Sequence, residues 1–548
     1  MVCSRLNSSP TTLQKSSLSV IPEPVQTSSF SWMALLRSIA GFILLSVLFA
    51  MAYSQSPLYT SNQNQYFLHG LAAAGVGHLD QDWLAGTLDP TPLFSKLVEL
   101  TIRITHLDSL FYLFYALLMG VYVVSMAGIA DLLFNLRSSR TKSLIFMAAF
   151  TGIHSAGLRF ALSRWLGSNW TYALEDGVAD QRMLGPVLQP SAFGVFLALS
   201  LYLFLRRRHY LAATTVAIAV AFHPTYLLGA ALLVLAYLWA EWREGKSLAW
   251  LLGMGLLALV LVSPILYYVY TSFSGSSPET TAQARQILVN YRIPHHALAS
   301  QWLDATAWFK LGLIAAAIVL AFRLGKANLV GPVSTRLANV MLIISLLAGL
   351  LTLFQVVSGN TALALLFPWR ISILLVPLAT TLLLAFLVDR LWTSILARSA
   401  RDQHLANLLS TLIIFFVLLL GSMRFVLDLQ RKALAPERPL EAYVAEHQSA
   451  GEIYLIPVKM QDFRLETGAP AYIEFKSIPY RDTDVLEWRR RIRQADRFYD
   501  QGDCTILEQL SGQEGVSHVV LPTESASPTC YGLDVIYQDQ AFRLARLK

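Results

Sequence analysis

Residues 32–53 read WMALLRSIAGFILLSVLFAMAY, an apolar run in which Arg37 is the single charged residue. A membrane-spanning α-helix needs about 20 apolar residues, so this run is long enough to cross a bilayer. An alternative interpretation takes Ala50-Met51-Ala52 as a signal-peptide cleavage site after an unusually long polar region. The orientation of the chain that follows is the same in either case. The stretch therefore predicts a protein that is inserted in a membrane.

Ten further apolar segments follow, and some of them are short. The 548 residues are 55% hydrophobic and 14% charged, whereas a soluble domain carries about a quarter charged residues. The composition and the segments predict an all-α polytopic membrane bundle of about eleven transmembrane helices. The further segments are 109–130, 143–162, 187–205, 210–222, 225–240, 247–270, 305–322, 337–357, 370–389 and 405–423.

Basic residues in the short loops predict the orientation of this bundle. Cytoplasmic loops of membrane proteins are enriched in Lys and Arg. With the N-terminus inside, five short loops would be cytoplasmic and would carry about fourteen Lys and Arg in roughly 50 residues. The loops on the opposite side would carry about eight in roughly 140 residues. The asymmetry predicts an N-in/C-out arrangement, with the C-terminal region extracytoplasmic.

Three regions are expected along the chain. Residues 1–31 are rich in Ser, Thr, Pro and Gln and are predicted to form a disordered cytoplasmic tail. Residues 32–424 form the predicted transmembrane domain, with a first outer loop at 54–108. Residues 425–548 contain short strand-like segments and a charged helical segment, which predicts a small extracytoplasmic α/β domain. Cys504 and Cys530 lie in it and are candidates for a disulfide, and two free thiols are the alternative.

The first outer loop carries a pair of carboxylates beside an aromatic residue. It contains Gly77-His78-Leu79-Asp80-Gln81-Asp82-Trp83, followed by a segment from Pro92 to Leu107 that has an apolar side and a polar side. Such a segment is typical of a helix that lies in the membrane interface.

An acidic residue or pair in the first outer loop, an interfacial helix and many spans together resemble the GT-C superfamily of membrane-embedded glycosyltransferases. The resemblance implies lipid-phosphate sugar donors and a carboxylate that takes a proton from the acceptor hydroxyl. Asp82 is the first candidate for this base and Asp80 the second. The pair could instead hold a divalent cation, because hard cations prefer oxygen ligands. The alternative is that both are solvated loop carboxylates.

A lipid phosphate also needs cationic partners near the membrane surface. Arg370 is the first candidate, in Leu366-Phe367-Pro368-Trp369-Arg370, because guanidinium binds phosphate through two parallel hydrogen bonds. A Trp/Arg interfacial anchor is the alternative interpretation. Arg292 and Arg182 are weaker candidates that could be plain loop charges. His223, in Phe222-His223-Pro224-Thr225-Tyr226, could bind a phosphate or sugar hydroxyl, or form a structural turn.

Several segments resemble an uncharacterised bacterial membrane family, the domain of unknown function DUF6798. The resemblance implies fold and location but gives no activity. The segments are Asp462-Phe463-Arg464, Phe475-Lys476-Ser477-Ile478-Pro479, Leu486-Glu487-Trp488-Arg489-Arg490, Gln189-Pro190-Ser191-Ala192-Phe193-Gly194 and Phe367-Pro368-Trp369-Arg370.

The leading prediction is a multi-pass protein of the bacterial inner membrane that transfers a sugar from a polyprenyl-phosphate donor on the outer face. A transporter or flippase is one alternative, and a non-catalytic assembly component with an outer binding domain is another. The partners expected are the lipid bilayer and the polyprenyl-phosphate-sugar donor. The net charge is +7, but no basic stripe with interleaved aromatics indicates a nucleic-acid partner. The sequence leaves the oligomeric state open.

Overall fold

The computed structural model describes residues 32–327, 331–523, 530 and 532–547. Contacts within the chain divide it into two units, Met1–Phe42 and Ile43–Lys548. The described part of the first unit is the beginning of helix α1, which spans Trp32–Tyr53. The site and the domains discussed below all lie in the second unit.

The apolar segments of the first half of the chain form helices, joined by shorter helices in the loops. The bundle helices end at polar or glycine-containing turns, such as Asn135 in the left-handed conformation after α5. Ten helices follow α1 in this half: α2 (Gln63–Tyr66), α3 (Leu68–Ala74), α4 (Pro92–Thr105), α5 (Leu110–Phe134), α6 (Arg140–Ile153), α7 (Ala156–Leu166), α8 (Val195–Leu205), α9 (His209–Phe222), α10 (Leu227–Arg243) and α11 (Leu248–Ser272).

The second half of the bundle begins with short helices in a loop and ends with long apolar ones. A π-helical turn, Ile287–Arg292, separates α12 from α13. The helices are α12 (Pro278–Gln286), α13 (Pro294–Ala297), α14 (Ala299–Trp302), α15 (Ala305–Lys326), α16 (Pro332–Ser358), α17 (Thr361–Leu365), α18 (Ser372–Ser394) and α19 (Ala400–Ala433).

Every predicted apolar segment coincides with a helix or a bent pair of helices. Within the described residues, seven helical segments are long and apolar enough to cross a membrane. A pair bent by 50°, α6 with α7, makes an eighth if it crosses as one span. The remaining predicted spans fall on three shorter apolar helices, Ser38–Tyr53, Pro190–Leu205 and His209–Phe222. The multi-pass membrane character is therefore confirmed, whereas the count of eleven spans stays a prediction.

Some bundle helices expose large apolar side chains around most of their surface. On α11 the side chains of Leu252 and Leu256 are exposed, and on α19 those of Phe415 and Phe416 are exposed. Contact of such a contiguous apolar surface with lipid hydrocarbon is favourable, whereas its exposure to water is unfavourable. Helix α18 has the opposite character, because most of its residues are buried among neighbouring helices. Helix α18 is therefore a central helix, whereas α11 and α19 are expected to face lipid.

The C-terminal region packs helices against a small four-stranded sheet. Its helices are α20 (Arg438–His447), α21 (Phe463–Thr467), α22 (Asp482–Gln501) and α23 (Thr505–Glu514). The strands β1 (Tyr454–Leu455), β2 (His518–Pro522), β3 (Leu533–Gln538) and β4 (Phe542–Leu547) have the spatial order β1-β2-β4-β3. Strands β1 and β2 are parallel, and the other two pairs are antiparallel. The prediction of a small C-terminal sheet is confirmed.

Two segments of this region differ from the sequence-based expectation: residues 471–475 were expected to form a strand, and strand β4 was not expected. The predicted strand at 471–475 forms only an isolated bridge between Tyr454 and Ala471. Its residues run as a loop, because Glu474 accepts hydrogen bonds from the backbone of Lys476 and Ser477. The structure joins Cys504 and Cys530 in a disulfide whose Cα atoms are 5.6 Å apart.

The first loop contacts the C-terminal region through hydrogen bonds to backbone groups of that region. The Gln65 side-chain amide forms two hydrogen bonds with the backbone of Ile478. It donates to the Ile478 carbonyl at 3.0 Å and accepts from the Ile478 N–H at 2.6 Å. The His78 N–H donates to the Gly468 carbonyl at 2.8 Å. A Cβ at Gly77, whose φ is +54°, would collide with the backbone of Gly468. This close approach explains why glycine is found at position 77.

Candidate functional site

A cavity of about 520 Å³ lies where the first loop, the bundle loops and the C-terminal region meet. Its volume is within the range of small-molecule sites, which is about 300–1,000 Å³. The charged and imidazole side chains that line it come from five separate stretches of chain: Asp180, Arg182, His223, Arg292, His295, His296, Arg370 and Lys476.

Arg370 and His223 form a hydrogen-bonded pair in the cavity wall. Arg370 lies in a 3₁₀ turn, Pro368–Ile371, directly before α18, and His223 caps the end of α9. Arg370 Nη2 is 2.8 Å from His223 Nε2. Since guanidinium only donates, Nε2 accepts and the neutral ring carries its proton on Nδ1. Both His223 Nδ1 and Arg370 Nε are buried without a hydrogen-bond partner, so each is a donor available to a ligand.

Arg292 and Lys476 bring two more positive charges together. Arg292 Nη2 donates to the Lys476 carbonyl, and Arg292 Nε is buried without a partner. Burial lowers the pKa of both side chains, and the neighbouring Arg292 lowers that of Lys476 further. Two half-buried cations this close are costly unless an anion lies between or beside them.

These cations lack the carboxylate partners that balance charge elsewhere in the protein. Within the described residues, no carboxylate oxygen lies within 4.0 Å of the charged nitrogens of Arg292, Arg370 or Lys476. Arg182 differs, because its Nε is 3.5 Å from Asp176 Oδ2 and its guanidinium stacks 3.7 Å from the Tyr172 ring centroid. The cavity therefore has three cations without an ion-pair partner, although the carboxylate of Glu474 acts on Arg292 and Lys476 from a greater distance.

The histidine pair adds neutral groups to this wall. His296 Nδ1 donates to the Ala179 carbonyl at 2.6 Å, which leaves Nε2 as an acceptor. Burial, followed by the neighbouring His295, lowers the pKa of His296 to about 3. His296 is therefore neutral at physiological pH and contributes hydrogen bonds rather than charge.

Apolar side chains also line the cavity. They come from the start of α10, the end of α11 and the segment before Arg370, so the cavity offers contacts to hydrocarbon as well as to an anion. These residues are Leu227, Leu228, Val269, Phe273, Leu365, Leu366 and Phe367.

All four predicted cation and histidine positions line the cavity, whereas the two predicted carboxylates do not. Asp80 is exposed at the surface of the first loop. Asp82 is buried, and its Oδ2 accepts from Arg464 Nε at 2.6 Å and from the Ala471 N–H at 2.9 Å. Its Oδ1 accepts from the Leu84 N–H at 2.8 Å. The Asp82 carboxylate is thus fully engaged in a structural contact, so its predicted role as a base remains a prediction that this geometry does not favour.

A chain of buried contacts connects Asp82 to the cavity. Arg464 lies between Asp82 and Glu474, at 3.3 Å from Glu474 Oε1. Glu474 in turn accepts hydrogen bonds from the backbone N–H groups of Lys476 and Ser477. These contacts set the conformation of the loop that carries Lys476 into the cavity wall.

The predicted divalent cation finds no matching ligand set at the carboxylate pair. Arg464 occupies the Asp82 oxygen that a metal would need, and Asp80 points to the surface. Over residues 32–327, 331–523, 530 and 532–547, no group of three or more His, Cys, Asp or Glu could hold a metal ion.

Sequence analysis missed Lys476 and Asp180 as lining residues. Lys476 was noticed within a family-like segment, but its approach to Arg292 depends on contacts between residues 184 positions apart. Asp180 is two residues from Arg182 in the same predicted outer loop. An acidic residue beside a candidate phosphate-binding arginine was the signal that could have identified it.

Comparisons with known proteins give two findings. The model of the domain of unknown function DUF6798 matches residues 435–495, the segment that holds Arg464, Glu474 and Lys476. Fifteen chains of solved structures are similar to the protein. One is the crystal structure of ArnT from Cupriavidus metallidurans in the apo state, 11% identical with a TM-score of 0.42, covering 94% of this chain and 98% of that chain. No curated protein matches the sequence.

Proposed function

We propose that this membrane protein binds a polyprenyl-phosphate-linked sugar in the cavity and transfers the sugar to an acceptor. The observation that carries the proposal is a set of cations without ion-pair partners, Arg292, Arg370 and Lys476, in a cavity that apolar side chains also line. A phosphate at the end of a long hydrocarbon chain has both chemical features. Arginine pairs hold phosphate oxygens through charge-assisted hydrogen bonds.

The proposed division of labour follows from the lining residues. The cations would hold the phosphate and stabilise the charge that develops on it as the bond to the sugar breaks. The apolar residues at the ends of α10 and α11 would hold the first isoprene units. The sugar would occupy the polar part of the cavity near His223 and His296, where hydrogen-bonding groups without partners are found.

Binding of a polyprenyl phosphate to the purified full chain in nanodiscs tests the proposal. Arg370→Ala is expected to weaken binding roughly tenfold to hundredfold, because a charge-assisted hydrogen bond contributes about 1.5–3 kcal/mol. Arg208→Ala is the matched control, since Arg208 is exposed at the opposite end of α9 from His223.

Two further ligands identify the chemistry that is recognised. The matching polyprenol lacks the phosphate and is expected to bind weakly. Phosphatidylglycerol vesicles supply a phosphate on an ordinary lipid, and equal binding to them would contradict a site specific for polyprenyl carriers. If Arg370→Ala and Arg292→Ala both bind the polyprenyl phosphate as tightly as wild type, the proposal is overturned.

A further inference from the structure

Asp180 is the one carboxylate among the cavity-lining side chains that the structure describes. Within those residues it has no ion-pair partner and no hydrogen-bonded side chain. Its negative charge therefore faces a cavity whose other charged groups are cations. This position differs from that of Asp82, whose oxygens are engaged by Arg464 and backbone N–H groups.

The loop that carries Asp180 is anchored on the preceding side. Asp176 and Lys310, both almost fully buried, form an ion pair at 2.6 Å. The Lys310 Nζ also donates to the Gly177 carbonyl at 3.0 Å. A Cβ at Gly177 would lie 2.5 Å from Ser372 Oγ and 2.7 Å from the Ile373 nitrogen, so the backbone must pass directly against the start of α18. These contacts place the loop next to the turn that carries Arg370.

The conformation at Asp180 itself is also tightly defined. Ala179 and Asp180 both have left-handed backbone conformations, with φ of +59° and +53°. Such a conformation is unfavourable for alanine and persists only when neighbouring contacts hold it. The His296 hydrogen bond to the Ala179 carbonyl and the Gly177 hydrogen bond to the Gln181 carbonyl, at 2.9 Å, supply those contacts. The carboxylate is thus presented to the cavity by a rigid support.

We propose that Asp180 is the general base of the transfer reaction, an inference that rests on the proposed function. The Asp180 carboxylate takes the proton from an acceptor hydroxyl as that oxygen bonds to the anomeric carbon of the sugar. The bond between that carbon and the phosphate oxygen breaks, and the phosphate leaves with the electron pair. The leaving polyprenyl phosphate stays beside Arg370, Arg292 and Lys476. The acceptor is therefore a molecule with a free hydroxyl group.

The test compares Asp180→Asn and Asp180→Glu with wild type in two measurements. The first is the dissociation constant of a polyprenyl phosphate for the purified full chain. The second is the lipid and surface-glycan profile, by mass spectrometry, of a deletion strain that carries each variant. Asp500→Asn makes the same carboxylate-to-amide change at an exposed position outside the cavity and is the matched control.

Asp180→Asn is expected to bind polyprenyl phosphate as tightly as wild type or more tightly, because a negative charge next to the phosphate is removed. Its glycosylated product is expected to fall at least about a hundredfold, the scale of a lost general base. Asp180→Glu should restore part of the product, and Asp500→Asn should match wild type.

The remaining outcomes separate the two proposals. If Arg370→Ala weakens binding while Asp180→Asn makes normal amounts of product, the base assignment is wrong and the proposed function stands. If Asp180→Asn loses binding together with product, Asp180 is a structural residue and not the base. If the deletion strain has the same lipid and glycan profile as its parent, the proposed function and the base assignment are both overturned.

Discussion

Asp82 is buried, and its carboxylate is compensated by the guanidinium of Arg464 and by two backbone N–H groups. Arg464, Glu474 and Asp82 form a three-membered ionic group with almost no exposed side-chain surface. Burying charges is costly, and the group is stable because each oxygen of Asp82 has a hydrogen-bond donor. Removing the negative charge would leave Arg464 with only Glu474 to compensate it. The residue is therefore expected to hold the first loop on the C-terminal region.

We expect Asp82→Asn to lower the free energy of unfolding of this region by about 3 kcal/mol, since breaking a buried pair costs about 3–5 kcal/mol and the amide retains some hydrogen bonds. Thermal unfolding and limited proteolysis of the purified full chain would measure the loss. Asp80→Asn, at an exposed position two residues away, should leave both unchanged. Normal stability of Asp82→Asn combined with loss of product would instead favour the catalytic role predicted from the sequence.

At the residue scale, sequence analysis identified cations more successfully than carboxylates. Arg182, Arg292, Arg370 and the imidazole of His223 were chosen as phosphate or sugar partners near the outer face, and all four line the cavity. Asp82 was chosen from a short acidic motif together with its predicted place in the first outer loop. Its partner Arg464 is 382 positions away, and nothing in the local sequence of the first loop indicates such a partner.

At the element scale, helix α20 carries a carboxyl group whose ionisation opposes folding. Glu441 is buried, and burial together with Glu466 raises its pKa to about 7 from an ordinary value of 4.5, against the effect of Arg438. The folded chain thus binds this proton more tightly than the unfolded chain does. Between pH 4.5 and 7, the contribution of Glu441 makes stability fall as the pH rises.

Glu441→Gln is therefore expected to flatten the decline in melting temperature between pH 4.5 and 7. The measurement is thermal unfolding of the full chain over that pH interval, taken as the difference between variant and wild type. Glu446→Gln lies on the exposed side of the same helix and should reproduce the wild-type profile. Equal slopes for Glu441→Gln and wild type would show that Glu441 does not titrate in this interval.

Helices were predictable from the sequence to a much greater extent than strands. An apolar segment is enough to predict a helix, because a helix in lipid makes its backbone hydrogen bonds within the segment and needs no partner from elsewhere in the chain. The C-terminal strands depend on pairing across the chain, as where β1 pairs with β2 more than 60 residues later. Strand β4 was not predicted at all, since Phe542–Leu547 reads FRLARL, in which the alternation of apolar and charged residues that marks a strand is broken at Leu544-Ala545.

At the scale of the whole molecule, the docked first loop and the C-terminal region must lie in one compartment. We expect an impermeant maleimide to label Asp80→Cys and Asp500→Cys from the same side of the membrane, in a chain that also carries Cys3→Ser. The basic loops predict that this is the outer side, so Arg208→Cys should be labelled only after the cells are opened. Labelling of Asp80→Cys and Asp500→Cys from different sides would contradict the docking contacts.

The contact between Asp82 and Arg464 also restricts how many times the chain crosses the bilayer. Two residues on the same side of the membrane are separated by an even number of crossings. Seven helical segments between Asp82 and Arg464, however, are long and apolar enough to cross a membrane. One further crossing, or three, must then lie between them, and the bent pair α6–α7 is long and apolar enough to supply the eighth. Helices α8 and α9 must either both traverse it, which gives ten, or enter and leave on one side as a hairpin. A single ion pair thus excludes every odd number of crossings between the first loop and the C-terminal region, and a total of eleven that includes α1 satisfies this rule.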